Sequence, residues 1–128
     1  MRANRGFTLV EILIVVVILG ILAAIVIPQF TQASTEAKES RLASDLQMLR
    51  SQIELYKIQH SDTPPAIAAF AAGGAMIVAA GGFGPYMQTV PTNPFNDLAT
   101  VTAVAGGGWT YTAATGEIHP GDAAHAGL

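Results

Sequence analysis

From Phe7 to Ile27 the chain sets 21 residues in a row of which one alone, Glu11, is ionisable. As a helix rising about 1.5 Å per residue, such a run is about 31 Å long, close to the roughly 30 Å hydrocarbon thickness of a bilayer. The run is therefore long and apolar enough to cross a membrane once. Arg2 and Arg5 are the only charges ahead of it. Basic residues flanking a span stay on the cytoplasmic side, so the expected topology is N-terminus in, with the bulk of the chain across the membrane. An ordinary secretory signal fits less well. Its apolar stretch is about 7 to 15 residues long, and although Leu22-Ala23-Ala24 offers a loose cleavage site, the run here is longer and has an acid near its start.

A carboxylate at the centre of a span costs roughly 3 kcal/mol on insertion scales, and intramembrane acids usually face a partner. Glu11 lies about one turn from the start of the run, so a shallow or protonated acid is one reading. Chain chemistry supplies another. If the chain is cut after Gly6, Phe7 presents a free α-amine at the same depth, an ammonium able to pair with the Glu11 carboxylate of a neighbouring copy. On this reading a lone chain buries an unmatched acid and an assembly does not.

The junction Arg5-Gly6-Phe7-Thr8-Leu9-Val10-Glu11, followed at once by Ile12-Leu13-Ile14-Val15, and the later Gly20 and Pro28 resemble the N-terminal segment of type IV pilins and type II secretion pseudopilins, with its class III signal peptide. The resemblance covers residues 5–30. It implies cleavage by a prepilin peptidase between Gly6 and Phe7, N-methylation of Phe7, and a role for Phe7 and Glu11 in subunit assembly. It further implies an inner-membrane assembly platform with its cytoplasmic ATPase, membrane lipid, minor pilins, and further copies of the chain in a helical filament. The expected divisions are a leader at 1–6, a transmembrane helix at 7–27, an amphipathic helical stem at 28–61 and a head at 62–128.

Helical periodicity continues past the span. Leu42, Leu46, Leu49, Ile53 and Tyr56 recur at spacings of three and four, a one-face stripe, with Lys38, Glu39, Arg41, Asp45, Arg50, Glu54 and Lys57 elsewhere on the helix. The stripe suits a helix lying on a sheet or a contact between subunits. No turn signal interrupts residues 30–60, so the expectation is a helix from Phe7 to about His60, some 81 Å long. Gly20 and Pro28 mark its weakest stretch. Proline lacks an N–H and clashes with the carbonyl four residues back, that of Ala24. In filaments of the resembled families this stretch loses helical hydrogen bonding, and the same helix break is expected between Gly20 and Pro28.

Pro64-Pro65 should stop the helix near His60 or Ser61. Residues 66–80 are Ala-rich and read as a short helix broken near Gly73-Gly74, with Ile67, Phe70, Met76 and Ile77 covering the stem. Pro85, Pro91 and Pro94 make residues 81–97 a loop anchored by Tyr86, Val90 and Phe95. Beyond it, Thr100–Val104, Trp109–Thr112 and Glu117–His119 have strand character, and Gly106-Gly107-Gly108 reads as a flexible turn. The expected fold class is α+β: a long transmembrane-plus-amphipathic helix packed on a small antiparallel sheet, pilin-like. Trp109 and Tyr111 should share a face over the stem near Leu49 and Ile53, and residues 121–128 should be a mobile tail.

The function classes narrow accordingly. Without its leader the chain carries four Lys and Arg against nine Asp and Glu, a net of −5, which argues against a nucleic-acid surface. There is no cysteine, hence no disulfide framework, thiol nucleophile or zinc-thiolate site. His60, His119 and His125 are scattered and no nucleophile-elbow or metalloprotease spacing occurs, so no enzyme activity and no cofactor are expected. The resemblance implies calcium in a C-terminal acidic loop of major secretion pseudopilins. Calcium takes six to eight oxygens, and Asp97, Glu117 and Asp122 are well separated, so no metal site is expected and Asn93, Asn96 and Asp97 read as turn residues. The expected role is a pseudopilus subunit for protein secretion, located in the inner membrane and then in a periplasmic or cell-surface filament. The alternatives are a surface pilin for adhesion, motility or DNA uptake, and a monomeric membrane-tethered domain. Genomic neighbours separate the first two: a secretin with exported hydrolases, or a retraction ATPase.

Overall fold

The computed structural model describes residues 6–128; Met1–Arg5, including Arg2 and Arg5 from which the topology was expected, lie outside the described residues. The chain divides into two compact units, one ending at Ala37 and the other Lys38–Leu128. The helix α1 is assigned over Leu9–Gln59 and continues through Gly20 and Pro28. In the first unit its apolar side chains from Leu9 to Phe30 are all exposed. The expected helix break is thus not a feature of the single chain. The Thr31 hydroxyl donates to the Pro28 carbonyl at 2.9 Å, and a Cβ added at Gly20 would meet nothing within 4 Å.

In the second unit the stem begins with the stripe read from the sequence. Leu42, Leu46, Leu49 and Ile53 are buried, and Tyr56 packs partly buried beside them. The stem ends without a glycine. Ser61 and Asp62 take left-handed φ values of 54° and 62°, and the Asp62 N–H returns to the Lys57 carbonyl at 2.8 Å. This six-to-one bond satisfies a carbonyl that the last turn leaves open. The Ala-rich segment then forms a 3-10 helix, η1, over Ile67–Phe70, followed by turns. Phe70 and Met76 are buried, and Ile67 and Ile77 pack against the core.

The sheet has three strands in the order β1 (Val101–Thr102), β2 (Trp109–Thr112), β3 (Glu117–Pro120). β2 and β3 are antiparallel, with Tyr111 opposite Ile118. β1, however, runs parallel to β2, Val101 opposite Trp109, so the sheet is mixed where an antiparallel one was expected. The Thr102 hydroxyl donates to the Val104 carbonyl at 2.7 Å, turning the chain out of the ladder. Gly106, at φ 113°, completes the reversal, and β2 re-enters beside β1 in the same direction. Of the three glycines expected to form a flexible turn, Gly106 is open on its surface but Gly107 and Gly108 are tightly packed. An added Cβ on Gly108 would lie 2.0 Å from the Leu98 carbonyl oxygen, and one on Gly121 2.1 Å from that of Gly107.

Alternation along β2 buries Trp109 and Tyr111 and leaves Thr112 exposed. The Trp109 indole N–H donates to the Pro91 carbonyl at 2.7 Å, and the Tyr111 hydroxyl to that of Pro65 at 2.7 Å. Both aromatic rings are therefore core elements with their polar ends satisfied. Phe70 meets the Tyr111 ring edge-on at 4.9 Å.

Candidate processing and assembly site

Gly6, Phe7 and Thr8 precede the helix and are exposed, Phe7 at 83%. The bond between Gly6 and Phe7 thus lies in non-helical chain ahead of Leu9. Thr8 caps the helix. Its backbone N–H donates to Glu11 Oε2 at 2.9 Å, its hydroxyl donates to the same oxygen at 3.0 Å, and the Glu11 N–H donates to Thr8 Oγ1 at 3.3 Å. These are the reciprocal bonds of a capping box, which satisfies donors that a helix start leaves open. Within one subunit Glu11 is thus hydrogen-bonded by Thr8, while among the described residues no cation pairs with it. The spacing Thr8-x-x-Glu11 is the sequence signal that identifies this partner.

Every apolar side chain following this cap in the first unit is uncovered, and α1 is long and apolar enough to cross a membrane. A helix apolar on all sides is stable in lipid or among other apolar helices. Gly6, Phe7 and Glu11 come together at the start of this surface, and Gly20 and Pro28 lie along it.

The head collects polar residues of another kind. Asn93 is fully buried. Its Nδ2 donates to the Gly108 carbonyl at 2.9 Å and to Asp122 Oδ1 at 2.8 Å, and its Oδ1 accepts the Phe95 N–H at 2.9 Å. Asp122 Oδ2 faces His125 Nδ1, and the His125 ring stacks on Phe95 at 4.0 Å. Burial alone pushes the Asp122 carboxyl up, but the hydrogen bonds from Asn93 and His125, with the charge of His125, outweigh it and hold the group below its ordinary value. Arg50 adds a bond to the Leu128 carbonyl at 2.6 Å. The tail expected to be mobile is therefore tied down at both ends. Asn93, Asn96 and Asp97 do form a turn, with Leu98 N–H donating to Asn96 Oδ1 at 3.1 Å and Asp97 at φ 56°.

This donor set does not fit calcium. Asn93 turns its amide nitrogen, not its oxygen, toward Asp122, whose second oxygen is engaged by His125. Among the described residues no group of three or more His, Cys, Asp or Glu is placed to hold a metal ion. His60 lies at the stem end, stacked on Tyr56 at 3.9 Å, and His119 is in β3; neither shares a site with His125.

Residues 1–27 match the family described as the prokaryotic N-terminal methylation motif. The chain is 43% identical over 63 residues to the type II secretion system core protein G of Dickeya chrysanthemi, covering 49% of this chain and 41% of that protein. It is 41% identical over 64 residues to the core protein G of Klebsiella pneumoniae, covering 50% and 46%. With that of Vibrio cholerae serotype O1 it shares 39% identity over 64 residues, covering 50% and 44%. The match spans less than half the length of each of these relatives. No solved structure matches the chain. The chain carries the prokaryotic N-terminal methylation motif of prepilin-like proteins and, over about half its length, is similar to core protein G of type II secretion systems.

Proposed function

We propose that this chain is a structural subunit of a type IV pilus-like helical filament, acting as a type II secretion pseudopilin. The observation that supports this most directly is the union of an exposed, non-helical Gly6-Phe7 bond with a helix whose apolar side chains, through Phe30, have no cover in the single chain. A prepilin peptidase cuts after Gly6 and Phe7 is N-methylated. In the inner membrane, N-terminus cytoplasmic, lipid covers the span. In the filament, neighbouring spans replace the lipid, and the Phe7 ammonium of one copy takes the Glu11 carboxylate of the next from its Thr8 cap.

Gly20 and Pro28 suit the second state. Pro28 already leaves the Ala24 carbonyl without its helical donor, and the open surface at Gly20 accepts close backbone approach. Helical bonds between the two loosen as spans pack. Heads then tile the exterior, and the work comes from an assembly platform and its cytoplasmic ATPase, since this chain has no phosphate-binding Gly-rich loop. Minor pilins join the same filament.

Mass spectrometry of the mature N-terminus is the primary test. N-methylated Phe7 is expected; an intact Met1, or a cut near Ala24, contradicts the reading. Imaging of Glu11→Ala cells should show filaments lost, and unchanged assembly would sink the pairing of Phe7 with Glu11.

A further inference from the structure

The two edges of the sheet are finished differently. β3 forms one edge and β1 the other. On β3 the backbone groups turned outward belong to Ile118 and Pro120. Arg50 reaches across from the stem to donate to the Ile118 carbonyl at 3.2 Å, and Pro120 has no N–H to offer. A charged side chain and a proline are usual guards against the addition of a further strand. This edge is closed.

β1 has neither guard. The Trp109 N–H donates to the Thr100 carbonyl at 2.9 Å. In a parallel pair with this register, that bond turns Thr100 and Thr102 toward β2 and leaves the N–H and C=O of Val101 facing outward. Among the described residues neither of these two groups has a hydrogen-bond partner. Beside them lies a groove of about 310 Å³, with Ile67, Ala68, Phe70 and Ala71 on one wall and residues 99–101 on the other. Leu98 and Val104, both exposed, flank the strand. No lining residue is ionisable, and the segments that supply them, 63–96 and 98–116, contain no Asp, Glu, Lys, Arg or His.

We propose that the open edge of β1 and the groove beside it bind an extended, uncharged, apolar segment of another protein by strand addition. Each part of the site selects one property of the ligand. The outward donor and acceptor of Val101 call for a partner with both a C=O and an N–H on one edge, which is a peptide backbone and not a lipid tail. The apolar walls call for an apolar side chain, and the lack of any ionisable group disfavours a charged one, which would be buried unpaired. The groove is at the low end of ligand-site volumes, about 300–1,000 Å³, and so suits a short segment. Because β1 offers backbone bonds at a single residue, burial of side chains in the groove supplies the rest of the contact. All these residues belong to the second unit, so binding does not require assembly of a filament.

The test uses the full chain in detergent micelles and a short, capped, dye-labelled peptide of alternating Thr and Val, read by fluorescence anisotropy. Saturable binding is expected. A counterpart methylated at every backbone nitrogen keeps the side chains but has no N–H; it reports partition into the micelle and should not bind saturably. Val101→Pro removes the outward N–H and leaves the bonds to β2 in place, and Ala71→Glu sets a carboxylate on the groove wall. Each should weaken binding of the unmethylated peptide at least about fivefold, the worth of one hydrogen bond. Trp109 emission reports whether each variant is folded, and Ala71, which is exposed, carries the test where Val101→Pro is not. Absence of saturable binding, equal binding of the methylated peptide, or undiminished binding by either folded variant overturns the site. A chain that dimerises without peptide and loses the dimer in Val101→Pro assigns the edge to a second copy, and overturns the proposal as well.

Discussion

Replacing Asn93 by Ala should unfasten the head from inside. The side chain supplies two donor bonds and one acceptor bond, to the Gly108 carbonyl, Asp122 Oδ1 and the Phe95 N–H, at 2.8–2.9 Å. Neutral bonds contribute about 1 kcal/mol each and one to a carboxylate about 1.5–3 kcal/mol, so their joint loss costs about 4 kcal/mol. That is a large share of the 5–15 kcal/mol by which a domain is stable, and should lower the melting temperature by at least about 15 °C. The single tryptophan, Trp109, is fully buried and reports the transition by fluorescence in detergent. Asn93→Asp sharpens the test. In the unaltered chain Asp122 is held below its ordinary value, so its contribution is present above about pH 4 and lost as pH falls through the lowered value. Asp at position 93 sets a second carboxylate beside the first, and one of the pair must take up a proton. Relative to the unaltered chain, its stability should therefore rise as pH falls from 7 toward 5. A loss under about 1 kcal/mol for Asn93→Ala, or parallel pH profiles for the two chains, would refute the role of Asn93 as the buried tie.

Thr8→Val removes the capping box and should cost the helix start about 1 kcal/mol, seen as faster amide exchange at Leu9–Glu11 in micelles, with Thr8→Ser restoring protection. Burial pushes the Tyr111 hydroxyl up to about 12. Below pH 10 its contribution is whole; above that the unfolded chain ionises first, so stability should decline between about pH 10 and 12. In Tyr111→Phe that decline should shrink, with about 1 kcal/mol lost at neutral pH, as thermal melts at pH 8 and 11 will measure.

The elements that sequence predicts well are those with period and punctuation. The Leu42–Ile53 stripe announces its own burial, and Pro64-Pro65 places the end of the stem within two residues. Alternation in Trp109-Thr110-Tyr111-Thr112 tells which face goes inward. What escapes is non-local. A two-residue strand has too little alternation to reveal its direction, and β1 runs parallel because of a bend set by Thr102 and Gly106. Asp122 and Asn93 are 29 residues apart, and nothing local in either segment points to the other, so the tail reads as free when it is bound. The helix end at Ser61 and Asp62 lacks the glycine that usually marks it. In the candidate site Gly6, Phe7 and Glu11 are legible as a motif. Thr8 was legible too, through its spacing from Glu11, but the apolar run draws the eye to an intermolecular partner before a local one.

The close approach of Gly107 to Gly121 and of Gly108 to Leu98 has a consequence for how such a head can change over time. There the layers meet backbone to backbone, with no side chain interposed, so the fit depends on three residues remaining glycine and hardly on what surrounds them. Outward-facing positions such as Thr112, Glu117 and Val104 are thereby released from architectural duty. A head built this way can exchange its outer chemistry, and with it the surfaces it meets, while its frame stays constant.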